Sequence, residues 1–374
     1  MAPIGIGMLG FGSIGKLHTL AYRALPSIYP AMPAFTLAAV CTSSKASAEA
    51  AAREGGFARS STSFEELISD PHISVIDCVL PNDAHREAIT LALAAGKHVY
   101  CEKPLALSGA EARELSCLAA SSKGRLGMTF NYRFFPAIMA AKKLMAEGAL
   151  GEIYSFQFEY FHSGYQDPSR PLTWRMRKES SGGGAIVDMG AHIIDLARYL
   201  LGEFSELSAV IKTWIPERPL TKGSAEKGAV TVDDAAWVTA RLASGALGTL
   251  VTSRFATGAA DDLRFRIEGS KGALRFDLMD ANWLYHYDAR RSGSELGWTR
   301  LETIQNYPGA SAPPARAILG WERSHAENQY QFLSAIAEGR QPSPGIADGL
   351  AANLVVDAVF EAAERGAWVR VDQA

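Results

Sequence analysis

The residues of this chain able to do chemistry concentrate at a few places. The first is Gly10-Phe11-Gly12-Ser13-Ile14-Gly15, a G-x-G-x-x-G spacing that follows the apolar run Ile4 to Leu9 and opens a helix through about Leu25. In such a turn the first glycine permits a tight bend and the second lets a pyrophosphate approach the backbone. The third lets helix pack on strand, with the phosphates at the helix's positive N-terminus. The overlapping match on Gly5, Gly7 and Gly10 is rejected, because it leaves no room for a preceding strand and puts Met8 and Leu9 in the phosphate turn. The second place is Cys101-Glu102-Lys103-Pro104, together with Leu80-Pro81-Asn82-Asp83-Ala84-His85. Both follow strand-like runs, and at the carboxyl edge of an α/β sheet the Lys103 ammonium can hydrogen-bond a substrate oxygen and stabilise charge during hydride transfer. His85, in the first turn of a helix, suits a structural role as well as a cofactor contact.

The third place is Asp188 and His192, at i and i+4 in a helical segment from Ala185 to Leu201. Side chains at that spacing share a helix face, where a carboxylate fixes the imidazole tautomer and raises its basicity, so that His192 can take a proton from an alcohol. Two other readings stay open. Asp188 can complement the helix N-terminus while His192 sits in the core, or Asp188, His192 and Asp195 can join His162 around a metal. No H-x-x-x-H or H-x-H spacing accompanies them, and no metal is expected.

A dinucleotide site of this kind usually has an acid at the end of the second strand, where a carboxylate binds the ribose hydroxyls and repels a 2′-phosphate. Here no Asp or Glu precedes Glu49, and the second strand runs out into Thr42-Ser43-Ser44-Lys45. Hydroxyls and a cation favour NADP over NAD, the other reading being a polar loop with the ribose held by backbone groups.

The elements that must carry these residues are legible in part. Ile4 to Leu9, Phe35 to Cys41, Val75 to Leu80, His98 to Glu102 and Leu126 to Phe130 read as buried strands. Ser63 with Glu66, and Ser108 with Glu111, have capping-box spacing, and Gly96 closes a helix. The expectation is parallel β-α-β units over residues 1–130. From about Gly151 the pattern alternates, as in Ile153 to Phe161, Ala235 to Leu242, Gly248 to Phe255 and Leu263 to Glu268. That predicts an antiparallel sheet in a second domain, 131–374, with long loops at 216–229 and 288–316. Helical spacing returns at about 346–364, in a helix expected to pack back on the first domain.

Composition narrows the function classes. With 37 basic and 40 acidic side chains, a net charge of −3 and no like-charge run, the chain has no footprint for nucleic acid. Its 4 cysteines form no C-x-x-C pair, so neither a disulfide framework nor a cysteine zinc site is expected. No signal-peptide pattern opens the chain and no apolar run is long enough to span a membrane. A cytoplasmic protein without a membrane partner is the expectation.

The segment LPNDAHREAITLALAAGKHVYCEKPLA, residues 80–106, and the segment GGGAIVDMGAHIIDLARYLLG, residues 182–202, resemble the two signatures of the Gfo/Idh/MocA dehydrogenases, named for glucose-fructose oxidoreductase and inositol dehydrogenase. With the glycine loop and the C-terminal helix, the resemblance spans most of the chain. It implies an N-terminal Rossmann domain and a C-terminal α/β domain whose large, open, mostly antiparallel sheet forms a homodimer or homotetramer interface. It implies catalytic roles for Lys103, Asp188 and His192, the residues singled out above on chemical grounds. It also implies that Pro81, Asn82, His85, Glu102 and Asn131 lie on the nicotinamide side, and that Trp174 and Arg175 contact cofactor. The chain departs from many relatives at the second strand, which lacks their acid. The implied substrate is a cyclic polyol or sugar: inositol, a pyranose or an anhydro sugar. Lys103, Asp188 and His192 would hold its hydroxyls, with Tyr132, Phe161, Tyr165 and Trp174 facing its apolar side. His325 and Asn328, on a helix after Trp321, are further candidates. Two rival functions remain, a nicotinamide-dependent glycosidase of the same fold and a non-catalytic nucleotide sensor.

Overall fold

A computed structural model describes residues 2–374. In chain order it runs β1 (Ile4–Leu9), α1 (Ser13–Ile28), β2 (Phe35–Cys41), α2 (Lys45–Gly55), β3 (Arg59–Ser61), α3 (Phe64–Ser69), β4 (Val75–Cys78), α4 (His85–Ala94), β5 (His98–Cys101), α5 (Gly109–Ser121) and β6 (Leu126–Met128). It continues with α6 (Pro136–Ala146), β7 (Ile153–Phe161), α7 (Lys178–Ser181), α8 (Ala191–Leu201), β8 (Phe204–Lys212), β9 (Glu217–Pro219), β10 (Lys227–Ala229), β11 (Ala235–Leu242) and β12 (Leu247–Ser253). It closes with β13 (Asp262–Gly269), β14 (Gly272–Asp277), β15 (Trp283–Asp288), β16 (Trp298–Glu302), α9 (Trp321–Ala337), α10 (Ile346–Arg365) and β17 (Val369–Arg370).

The chain divides into two compact units, and they are not two consecutive stretches. The first takes residues up to 106, 110–134 and 305–350; the second takes 107–109, 135–304 and 351–374. In the first unit six parallel strands lie in the order β3-β2-β1-β4-β5-β6. Helices cover both faces of such a sheet, which is why β1 reads as a continuous apolar run and β4 and β5 are buried along almost their whole length, Asp77 of β4 included. The Ser63 hydroxyl accepts from the Glu66 amide at 3.2 Å, the cap that the spacing predicts. Strand β3 escapes sequence reading because Arg59-Ser60-Ser61 is short and polar. Strands β4 and β5 stop at Cys78 and Cys101, so Leu80, Glu102 and Lys103 fall beyond the strands, on the carboxyl edge.

Helix α9 joins this unit from far along the chain because its partners are there. Gln329 donates to the His18 carbonyl at 3.2 Å, Tyr330 stacks on Tyr29 at 3.6 Å between ring centroids, and the buried Arg323 donates to the Tyr29 hydroxyl at 2.8 Å.

The second unit is built on a nine-stranded sheet, β16-β15-β14-β13-β7-β12-β11-β8-β17, antiparallel throughout except where β7 and β12 run parallel. Along β7, Phe156, Phe158 and Tyr160 are buried, while Gln157 and Glu159 alternate with them on the other face. Helices α6 and α8 pack on this sheet. The opposite face keeps Val210, Trp214 and Trp237 exposed. The stretch 216–229, expected as a loop, contains the β9/β10 hairpin, and 288–316 contains β16; both are too short to show a periodicity. Among the described residues no helix is long and apolar enough to cross a membrane.

Candidate active site

At the turn between β1 and α1, Gly10 adopts φ +93°, and a Cβ there would come within 2.6 Å of the Val79 carbonyl oxygen. A Cβ on Gly12 would meet nothing within 4 Å. The open space lies at the start of α1, which has no side-chain cap and no acidic residue in its first turn. Free amides at a positive helix end beside an open glycine fit a pyrophosphate. Gly5 and Gly7 lie inside β1, so the glycine turn is the one starting at Gly10.

Beyond β2, the Ser44 hydroxyl caps α2 by accepting from the Ser47 amide at 3.3 Å, and Thr42 bonds Ser47 at 2.6 Å. The Lys45 side chain is 89% exposed, with its Nζ 4.0 Å from the Glu49 carboxylate. On the far side of the carboxyl edge, Asn82 begins a short 3-10 turn and Lys103 is half-buried, joined to Pro104 by a cis peptide bond. His85 is fully buried, with Nδ1 2.9 Å from the Pro104 carbonyl and Nε2 3.1 Å from the Leu80 carbonyl. It sits between the two turns that carry Asn82 and Lys103; burial lowers its pKa, and the neutral ring donates its one N–H to one of the two carbonyls at a time. Asn131 is buried and donates to the Ser324 hydroxyl at 2.9 Å, with Tyr132 buried beside it in the same turn.

Beneath Glu102 lies a buried polar group that sequence reading missed. His18, on the inner face of α1, places Nδ1 3.0 and 3.1 Å from the two Asp77 oxygens and Nε2 3.1 Å from Glu102. Burial pushes the His18 imidazole down, but the Asp77 and Glu102 carboxylates outweigh it and lift its pKa to about 10. Burial likewise pushes Glu102 up, yet the hydrogen bond and charge of His18, aided by Lys103, hold its carboxyl at about 2. His325 packs on His18 at 5.7 Å between ring centroids, and burial with the His18 charge lowers its pKa to about 3. Ligand atoms of His18, Glu102 and His325 lie within 4.8 Å of one another, but both His18 nitrogens already serve carboxylates.

In the second unit, the helix expected from Ala185 begins as a π-helical turn, Ile186–Gly190, and becomes α-helical at Ala191. Asp233, buried, caps that start by accepting from the amides of Gly184 at 2.7 Å and Ile186 at 2.9 Å. Asp188 is therefore released from helix capping, and its carboxylate accepts from Arg254 at 3.0 Å. Arg254 is a buried cation that also lies over the Tyr165 ring at 4.5 Å and donates to the Arg175 carbonyl at 3.4 Å. The Arg175 guanidinium in turn covers Trp174 at 4.4 Å. Arg254 thus gathers Asp188, Tyr165 and the Trp174-Arg175 turn, a role that its position just after an ordinary alternating strand does not advertise. His192 is 9% exposed, with the Tyr160 ring edge-on at 6.2 Å. Tyr160 donates to Asp261 at 2.6 Å and His162 approaches the same carboxylate at 3.0 Å. His162 is thereby committed to Asp261; Asp195 is buried on α8.

A doubly wound parallel sheet with an open glycine cradle at its carboxyl edge defines a dinucleotide-binding protein. Residues 4–130 match "Oxidoreductase family, NAD-binding Rossmann fold", and residues 138–275 match "GFO/IDH/MocA C-terminal domain". The chain is 38% identical to levoglucosan dehydrogenase of Pseudarthrobacter phenanthrenivorans over 100% of its own length and 99% of the relative's. It is 30% identical to 1,5-anhydro-D-fructose reductase of Ensifer adhaerens, over 86% of both chains. Among solved structures, levoglucosan dehydrogenase in complex with NADH and levoglucosan superposes with a TM-score of 0.95 at 37% identity, covering 100% of each chain. The chain belongs to the Gfo/Idh/MocA family of NAD-binding oxidoreductases.

Proposed function

We propose that this chain is an NAD(P)-dependent dehydrogenase or reductase acting on a secondary alcohol of a cyclic sugar or polyol, with an anhydro sugar of the levoglucosan type as the first substrate to test. The full-length likeness to levoglucosan dehydrogenase carries this reading. Gly10 to Gly15 hold the pyrophosphate, and Pro81, Asn82, Glu102 and Asn131 form the nicotinamide side, with His85 acting through the turns it joins and Trp174-Arg175 as a further cofactor contact. The bound dinucleotide supplies the hydride acceptor. Of the chain's own groups, Lys103 donates a hydrogen bond to the substrate oxygen and His192 accepts the hydroxyl proton at a ring nitrogen. Asp188, held in place by Arg254, orients the substrate or the imidazole, and Tyr132 and Tyr165 line the sugar's apolar side. A dehydrogenase, a hydrolase and a sensor part on one assay, in which the wild-type chain generates NAD(P)H from levoglucosan or a related polyol, while a folded Gly12→Val protein binds no dinucleotide. Valine at position 12 enters open space, so the fold tolerates it while the pyrophosphate loses its place. Nitrophenyl glycoside hydrolysis without net NAD(P)H would favour the glycosidase, and wild-type-like titration by Gly12→Val would overturn the cradle.

NADP is the preferred cofactor in this reading, because the end of β2 offers Thr42, Ser43, Ser44 and the exposed Lys45 and no acid. Lys45→Ala is expected to weaken NADP roughly tenfold and NAD little, as loss of one charge-assisted contact does. A wild-type preference for NAD in parallel titrations would refute the choice. The exposed Val210, Trp214 and Trp237 on the sheet of the second unit support assembly into a homodimer or homotetramer through that face. Three buried free thiols, Cys41, Cys78 and Cys101, suit the reducing cytoplasm.

A further inference from the structure

The Asp77–His18–Glu102 group has a fixed total charge. Asp77 lies in β4 with no exposure, His18 is equally buried, and only Glu102, its side chain 12% exposed, reaches the surface. An ionised carboxylate can only accept hydrogen bonds, so bonds from both ring nitrogens require either a cationic imidazole between two anions or a neutral imidazole facing one protonated carboxyl. The count is the same in both cases. Two carboxylates and one imidazole sharing that proton carry one net negative charge wherever the proton sits. One neighbour offsets that charge in part. His325 is neutral, Tyr22 and Tyr100 are phenols whose pKa burial raises well above the usual value, and Lys103 alone adds a cation at the edge. The group ends at the carboxyl tips of β4 and β5, in the β4-β5-β6 half of the sheet, across β1 from β2, where a dinucleotide stretched across a sheet of this strand order puts its second base.

We propose that the Asp77–His18–Glu102 group is a built-in counter-charge that makes the chain bind the oxidised nicotinamide, whose ring is cationic, more tightly than the reduced one, and that Glu102 is the residue through which it acts. The proposal rests on the cofactor reading given above. A carboxylate near the ring stabilises the charged oxidised form and does nothing comparable for the neutral reduced form, so it separates two ligands that are otherwise alike. A role confined to holding the turn in shape would affect both forms equally.

The test is a pair of titrations, oxidised and reduced cofactor of whichever kind the wild type binds, on wild type, Glu102→Gln, Glu102→Ala and Glu102→Asp. Glu102→Gln preserves the side chain's shape and removes its charge, and is expected to raise the ratio of oxidised to reduced Kd about tenfold, about 1.4 kcal/mol. Glu102→Ala removes the same carboxylate with a shorter side chain, raises the ratio in the same direction and supplies the answer should Glu102→Gln fail to fold. Glu102→Asp retains the charge and the wild-type ratio, whatever it does to each affinity. Equal weakening of both forms in the two neutralising variants would overturn the proposal. Wild type binding neither form would instead overturn the cofactor reading.

Discussion

His192→Ala and Lys103→Ala each lower kcat by roughly 10² to 10⁴, the range for a positioned acid/base or oxyanion-stabilising group, with cofactor affinity and thermal midpoint close to wild type. Steady-state kinetics on the best substrate found, alongside cofactor titration, check this; near-wild-type turnover by His192→Ala would move the proton acceptor elsewhere. Asp188→Asn behaves differently. Its partner Arg254 is buried, so removing the Asp188 charge strips that guanidinium of a direct counter-ion and costs stability as well as rate. Asp188→Asn therefore lowers the thermal midpoint, whereas His192→Ala leaves it near wild type.

Asp77→Ala is the substitution expected to damage folding most, by about 3–5 kcal/mol, because it abandons a fully buried imidazolium to one remaining partner. The same group sets the pH range of stability. The folded pKa of His18 lies at about 10, above its ordinary 6.5, so its stabilisation is complete below about pH 6.5 and is lost as pH rises toward 10. The folded pKa of Glu102 is about 2, below its ordinary 4.5, so its contribution is complete above about pH 4.5 and disappears as pH falls toward 2. Denaturant unfolding across pH should place the broad maximum between those limits and show a steeper alkaline decline in wild type than in Asp77→Ala. Identical alkaline slopes in the two proteins would count against the imidazolium.

Much of this was legible in residue order, and the reasons for the rest are physical. The glycine turn, the apolar strands and the capping serine at Ser63 depend on neighbours in sequence, and they lie where their spacing puts them. The π-helical start of the Asp188 helix depends on Asp233, remote in sequence, whose carboxylate takes the amides of Gly184 and Ile186. Arg254 and His18 were missed for the same reason: each gains its meaning from carboxylates that only folding brings near. Strands β14 to β17 and the β9/β10 hairpin are short or half-polar, so alternation alone does not distinguish them from loops. Residue type and spacing singled out Lys103, Asp188 and His192, and the family resemblance implied the same three; neither supplied the partners around them.

Helix α9 has a consequence for how the protein is made. The Rossmann sheet is complete in sequence by Met128, yet Tyr100 packs against Phe332 at 5.1 Å and Tyr29 against Tyr330 at 3.6 Å. A ribosome delivers domains from the N-terminus onward, and here it must translate every strand of the second unit's large sheet but the last, β17, before the first can bury its aromatic flank. Through that interval the nascent dinucleotide module carries bare aromatic surface, the kind of exposure that chaperones shield. A fragment ending near residue 130 would leave Tyr29 and Tyr100 without Tyr330 and Phe332, so a transplant of the module has to carry α9 with it.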